Sequence, residues 1–407
     1  MTNKSFKEVQ KVDPKKRTAL LAMMKKANEK AKHRVMAFAE DVESPYMLRR
    51  PSGVMGLDID LAGGLPAGTL NVFSGPEGAG KTAMMFKYMA MQQRIFGDAC
   101  VLALAPIENK VDHFFMRKCG LQVAIPDEVI EQKQEERKRL GLPPMGKEEV
   151  KGLKTKIGDF ILVNEDTAEQ TLDQVIELTR TKAVNMIGVD SFSAFQTTAE
   201  MNTDSLGDNP KQAAMAGTLT RFQQRMSPLF SSLDDPPNTT TVIGICQVRA
   251  NRERANMNPA IQKYIAPYIP SIPYAIKHMM TMSLLFYPGE KIKEGKKGES
   301  KTQTGKVMKW RVDKGKAGVH EGIQGEVEYE FDEAIDDVGS VVTEAYQRGI
   351  FVEKNGVVSL HSHTGDVIWK DIGSLKVVRE GLATDVEFEM KVRTQILAAA
   401  GKSCLYW

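Results

Sequence analysis

The residues best suited to chemistry in this 407-residue chain form one run, Gly75-Pro-Glu-Gly-Ala-Gly80-Lys81-Thr82. Its glycines let the backbone curl until successive N–H groups point inward, the arrangement that holds phosphate oxygens. A lysine directly after the last glycine can reach the β- and γ-phosphates, and the next hydroxyl can ligand Mg2+. The apolar residues Leu70, Val72 and Phe73 lead in, and an apolar helical pattern comes after. The run therefore lies between a strand and a helix, whose positive dipole end favours the same anion. An ordinary glycine-rich turn need not end in Gly-Lys-Thr. Nucleoside triphosphate binding is expected through Gly75, Pro76, Glu77, Gly78, Ala79, Gly80, Lys81 and Thr82.

Three other segments end in residues that could join this loop. Ala99–Leu104 reads as a buried parallel strand, and Glu108 lies just past it. A carboxylate there sits where ligands bind in open α/β sheets, and it can orient or deprotonate a water. Asn185–Asp190 is an apolar strand ending in an aspartate, the second carboxylate of an ATP·Mg2+ site. Thr239–Arg249 is a third apolar strand, ending at Gln247, whose amide can couple a γ-phosphate to the loop beyond it. That loop, residues 250–273, carries four prolines. Arg249, Arg252, Arg254 and Lys263 are interleaved there with Tyr264 and Tyr268, offering charge for phosphates and ring faces for bases, as a single-strand groove requires. A structureless stretch of that length is usually functional. The polar segment Thr197–Lys211 reads as a second loop, with Lys211 at its end.

Composition bounds the rest. With 42% hydrophobic and 26% charged residues the chain reads as a globular protein, and a net charge of +3 makes any nucleic-acid surface local. Cys100, Cys119, Cys246 and Cys404 are widely spaced without a C-x-x-C pair, so reduced thiols and a cytoplasmic setting are expected. No apolar run reaches membrane-spanning length. Residues 1–45 read as an arm containing an amphipathic helix over 15–32, with Pro14 at its first position. Residues 122–158 form a charged insertion of two short helices. Tyr274–Tyr287 and Lys306–Val312 read as strands flanking a lysine-rich hairpin, Lys291–Lys301. Residues 326–407 read as a small α+β domain. His361 and His363 suggest no third ligand, so no histidine metal centre is expected.

Ser52-Gly-x-x-Gly-Leu-Asp58, then Gly63-Gly-Leu-Pro-x-Gly68, then Gly75-Pro-Glu-x-x-Gly-Lys-Thr82 resembles the bacterial RecA recombinases, and collinear matches continue across most of the chain outside 122–158. The resemblance implies a RecA-like α/β ATPase core over 46–325, a mostly parallel twisted sheet between helices. It implies Glu108 as the catalytic carboxylate, and Asp112 and Phe115 as the residues that contact and stack on adenine. It implies Gln247 as the γ-phosphate sensor, with Thr82 and Asp190 at the metal. Arg311-Val-Asp-Lys314-Gly-Lys316 resembles the family's Lys-x-Lys, which implies that Lys314 and Lys316 reach the γ-phosphate bound by a neighbouring subunit. Where the family has paired glycines late in its second DNA loop, this chain has Ile272-Pro273.

The implied activity is ATP- and Mg2+-dependent filament formation on single-stranded DNA, with pairing and strand exchange against double-stranded DNA and no membrane partner. A hexameric helicase of the same fold and a filament protein without strand exchange are the alternatives.

Overall fold

The computed structural model describes residues 14–31, 34–38, 48–107, 111–194, 197–198, 211–230, 236–255, 258, 268–294 and 302–402. Among these, a nine-stranded sheet carries the molecule. Its strands are β1 (Leu70–Ser74), β2 (Val101–Pro106), β3 (Asp159–Leu162), β4 (Met186–Asp190), β5 (Thr241–Cys246), β6 (Met282–Glu294), β7 (Thr302–Lys314), β8 (Gln324–Glu330) and β9 (Ala334–Ile335). The spatial order is β9-β8-β7-β6-β1-β5-β4-β2-β3. From β3 to β6 every pairing is parallel, and from β6 to β9 every pairing is antiparallel. The expected α/β core, a mostly parallel sheet between helices, is what the chain forms.

The helices of the N-terminal half are α1 (Pro14–Ala31), α2 (Met55–Asp60), α3 (Lys81–Phe96), α4 (His113–Lys118), α5 (Asp127–Arg139), α6 (Lys147–Leu153), α7 (Ala168–Arg180) and α8 (Lys211–Met226). Strands covered on both faces must be apolar throughout, and β1 and β5 are buried at every residue. Period-two alternation divides their side chains between two cores. Phe73, Ile243 and Ile245 face one core with Met84, Met85 and Met89 of α3. Leu70, Val72 and Val242 face the other with Leu172, Val175 and Ile176 of α7 and Leu219 and Phe222 of α8.

Helix α1 begins at Pro14 as expected, and its Leu20, Leu21 and Met23 are exposed. The insertion forms its two helices, α5 and α6, around a small cluster of Ile125, Ile130 and Met145. It is stapled to the core by Arg117, which donates to the carbonyls of Val123 (2.8 Å), Thr155 (3.0 Å) and Gly152 (2.9 Å). Two expectations need correction. Tyr274–Met279 is a helix, not strand: Pro273 stands at its N-cap, and Lys277 and His278 suit the negative end of its dipole. The strand starts only at Met282. The flanking strands of the lysine-rich hairpin are also longer than the pattern suggested, because pairing continues through Lys291–Glu294 and Thr302 despite bulges.

The C-terminal segment packs its core against the rest of the chain. Val341, Phe351, Leu360, Leu382 and Ile396 form one cluster with Met55 and Ile59 of α2 and Met91 of α3. Beside it lies a buried ion network. Arg393, 1% exposed, meets Glu389 at 2.8 Å and Asp58 at 3.5 Å and donates to the Gly53 carbonyl at 2.6 Å. Burial pushes the Asp58 carboxyl up to about 6, against the opposing pull of Arg393 and the Ser52 and Gly53 donors. No helix among the described residues is long and apolar enough to cross a membrane.

Without Arg393 the buried Asp58 loses its counter-charge, while Glu389 keeps its ion pair with Arg94 at 2.5 Å. Arg393→Met is therefore expected to destabilise the protein by about 3–5 kcal/mol, read as a shift in the urea midpoint. A loss under about 1 kcal/mol would mean that the network contributes little net stability.

Candidate functional site

Parallel register brings four strand ends to one edge of the sheet. Ser74 pairs with Cys246, Val189 with Gly244, and Pro106 with Asp190. The loops leaving β1, β5, β4 and β2 therefore start side by side, at the carboxyl edge where open α/β sheets bind ligands.

The phosphate loop leaves β1 in a conformation that favours glycine at two points. Gly78 and Gly80 have φ of 68° and 92°. A Cβ on Gly75 would lie 2.4 Å from the Phe286 carbonyl, and one on Gly80 would lie 2.4 Å from the Met308 sulfur. The curl is thus held between β6 and β7 as well as by its own sequence. Helix α3 opens at Lys81, so its unsatisfied N–H groups face the cleft. The Lys81 ammonium donates to the Gly75 and Pro76 carbonyls at 2.9 and 2.8 Å. Glu77 and Gly78 are exposed at the loop's crest and Ala79 is buried beneath it.

Thr82 donates from its hydroxyl to the Asp190 carboxylate at 2.8 Å. A hydroxyl and a carboxylate oxygen at that spacing are the donor set of a hard, oxygen-seeking cation such as Mg2+, which keeps most of its water and takes few protein ligands. The residues present fit that ion. Among the described residues no cluster of three or more His, Cys, Asp or Glu suggests another metal site.

A cleft of about 380 Å³ opens over the loop. Asp112 and Phe115 line it. Asp112 caps α4, its carboxylate accepting from the Phe115 N–H at 3.0 Å, and the Phe115 ring packs edge-on against Phe86 with centroids 5.9 Å apart. Two further lining residues, Lys306 of β7 and Tyr329 of β8, could not be found from the motifs. Glu108 lies outside the described residues. Its neighbour Ile107 donates its N–H to the Asp190 carbonyl at 2.6 Å.

Gln247 stands one residue past β5. Its N–H donates to the Ser193 hydroxyl at 3.2 Å and its carbonyl accepts from Ser271 N–H at 3.0 Å. Beyond it the expected structureless loop is structured at its ends: Val248–Ala250 pairs antiparallel with Tyr268–Pro270, and Arg252–Ala255 is a helical turn. Arg249 and Arg252 are exposed. Arg254 lies in that turn, and Lys211 begins α8. Lys263 and Tyr264 lie outside the described residues.

Lys314 and Lys316 are not brought to this chain's own phosphate loop. Ser283 pairs with Val72 on one side and Lys314 on the other, so Lys314 sits toward the opposite edge of the sheet from the loop after Ser74. Its ammonium donates to the Lys277 carbonyl at 2.7 Å, and burial, then the charge of Lys316, lower its pKa.

No family model matches the chain. Among solved structures it is similar to one described as the RadB recombinase, at 17% identity over 70% of this chain and 98% of that one, with a TM-score of 0.39.

The steric contact at Gly80 yields a test. Gly80→Ala combines a strained φ with a clash against Met308, so it should abolish nucleotide binding in a fluorescent-nucleotide titration. Unchanged affinity in this variant would show that the loop geometry is not required.

Proposed function

We propose that this protein is an ATP-dependent recombinase of the RecA type, which assembles on single-stranded DNA and pairs it with homologous double-stranded DNA. The observation that carries this reading is the meeting, at one sheet edge, of a phosphate loop, the Thr82–Asp190 pair and Gln247, with Gln247 leading directly into a two-stranded ribbon that carries Arg249 and is followed by Arg252. The motif resemblance supplies the polymer and the DNA; the geometry supports both.

In this reading the loop N–H groups and Lys81 hold the phosphates of ATP, Asp112 and Phe115 hold the base, and Glu108 orients the attacking water. Mg2+ held by Thr82 and Asp190 would neutralise phosphate charge when bound. Gln247 senses the γ-phosphate and orders the segment through Arg249, Arg252, Arg254, Lys263 and Tyr264 around a single strand, with Lys211 at the base of the first DNA loop. The opposite-edge position of Lys314 and Lys316 supports a role in a neighbour's site rather than their own. The exposed Leu20, Leu21 and Met23 support α1 as an arm that docks on an adjacent subunit.

Electron microscopy with ATP, Mg2+ and single-stranded DNA is expected to show helical filaments, lost in Lys81→Ala and on chelation of the metal. Rings would favour a helicase, and the absence of any DNA-bound polymer would overturn the recombinase reading. Strand exchange is expected of the filament, and filaments inert in exchange would reduce the protein to a DNA-coating role. Mixing Lys314→Ala with Lys81→Ala protomers should restore part of the ATPase rate if the site is shared.

A further inference from the structure

Strand β7 carries a lysine where its pattern calls for an apolar residue. Met308, Trp310 and Val312 alternate inward and are buried against the core that contains α3. Lys306 has the same parity, one step nearer the nucleotide cleft, and it is half-buried. Its ammonium donates to the Gly78 carbonyl of the phosphate loop. It also lies 5.2 Å from the centroid of Tyr329, its direct cross-strand partner. Neither partner neutralises the charge, and among the described residues no carboxylate pairs with it. Burial lowers its pKa, the signature of a cation held away from water.

A charged group at a core-facing position, lacking an anion and opening into a cleft with a phosphate loop, is placed for a ligand anion. We propose that Lys306 is a second phosphate-binding lysine of this site, supplied by the antiparallel half of the sheet and held in place by Tyr329. Lys81 approaches the phosphate chain from inside the loop and Lys306 from the flank of its crest at Gly78. The ligand is a nucleoside polyphosphate, and Lys306 contributes to binding in both the diphosphate and triphosphate states. This assignment rests on the nucleotide-binding reading of the same cleft.

The test is titration of wild type, Lys81→Ala, Lys306→Ala, Lys306→Arg and Lys306→Glu with ADP and a non-hydrolysable ATP analogue at two salt concentrations, together with melting of each nucleotide-free protein. Loss of a charge-assisted contact predicts a Kd raised by roughly tenfold or more in Lys306→Ala for both nucleotides. Lys306→Glu should be worse, Lys306→Arg should recover most of the affinity, and the salt dependence of Kd should be shallower in the alanine variant. Wild-type affinity in Lys306→Ala overturns the proposal while leaving the nucleotide reading intact. A loss of affinity that Lys306→Arg does not recover, accompanied by a lower melting temperature, overturns it in favour of a packing role. Failure of the wild-type protein itself to bind either nucleotide overturns the site reading as well.

Discussion

The hydrogen bond from Thr82 to Asp190 joins residues 108 positions apart, and the candidate site depends on the register that makes it possible. β1 and β4 are not neighbours; β5 lies between them and fixes both, pairing Ser74 with Cys246 and Gly244 with Val189. A shift of one residue in either pairing would move each side chain to the other face of the sheet. Burial on both faces specifies that register strongly, since Phe73 and Val72 fill different cores. The hydrophobic division of the sheet thus sets the spacing of two oxygen atoms at its edge.

The same constraint explains why the loop is so crowded. The β6 backbone closes against Gly75, where a Cβ would meet the Phe286 carbonyl, and a Cβ on Gly80 would have to displace the Met308 side chain of β7. The antiparallel half of the sheet is consequently part of the site. It contributes Met308 beneath the loop, Lys306 beside it and Tyr329 next to Lys306. The C-terminal segment is tied in from the far side, through a core shared with α2 and through Arg393. The bond from Arg393 to the Gly53 carbonyl and its ion pair with Asp58 join the final helix (Val386–Ala399) to α2 and the turn before it.

Much of this is legible in the sequence because parallel strands buried on both faces announce themselves as short apolar runs, and because Gly-Lys-Thr after such a run is hard to obtain by accident. Asp190 and Gln247 are found by the same logic, being polar residues that end apolar strands. The antiparallel half is less legible. Its strands are half-buried and lysine-rich, and the contact of Lys306 with the loop depends on which neighbour each residue faces. A signal was present in the alternation of Lys306 with Met308, Trp310 and Val312, but its meaning depends on which face meets α3. Tyr274–Met279 misled for a different reason: six residues after a proline are too few for periodicity to separate helix from strand. Glu108, Lys263 and Tyr264 lie outside the described residues and rest on the sequence alone.

A sheet this thoroughly paired is a poor candidate for the moving part of a nucleotide switch. β5 is hydrogen-bonded on both sides and buried throughout, so in the proposed function a change at the phosphates would have to leave the site through segments at the sheet's edge. One route is visible. The Ser191 and Ser193 hydroxyls, just past Asp190, lie 3.1 Å apart; Ser193 accepts from Gln247, and Gln247 in turn accepts from Ser271 at the base of the ribbon. Those bonds run from the residue after Asp190 to the base of both strands of the ribbon without crossing the core. A displacement of Gln247 toward a γ-phosphate would alter a bond on each side of it at once. The ribbon's pairing at Arg249–Ile269 would then be coupled to the nucleotide through two hydrogen bonds, rather than through any rearrangement of the sheet.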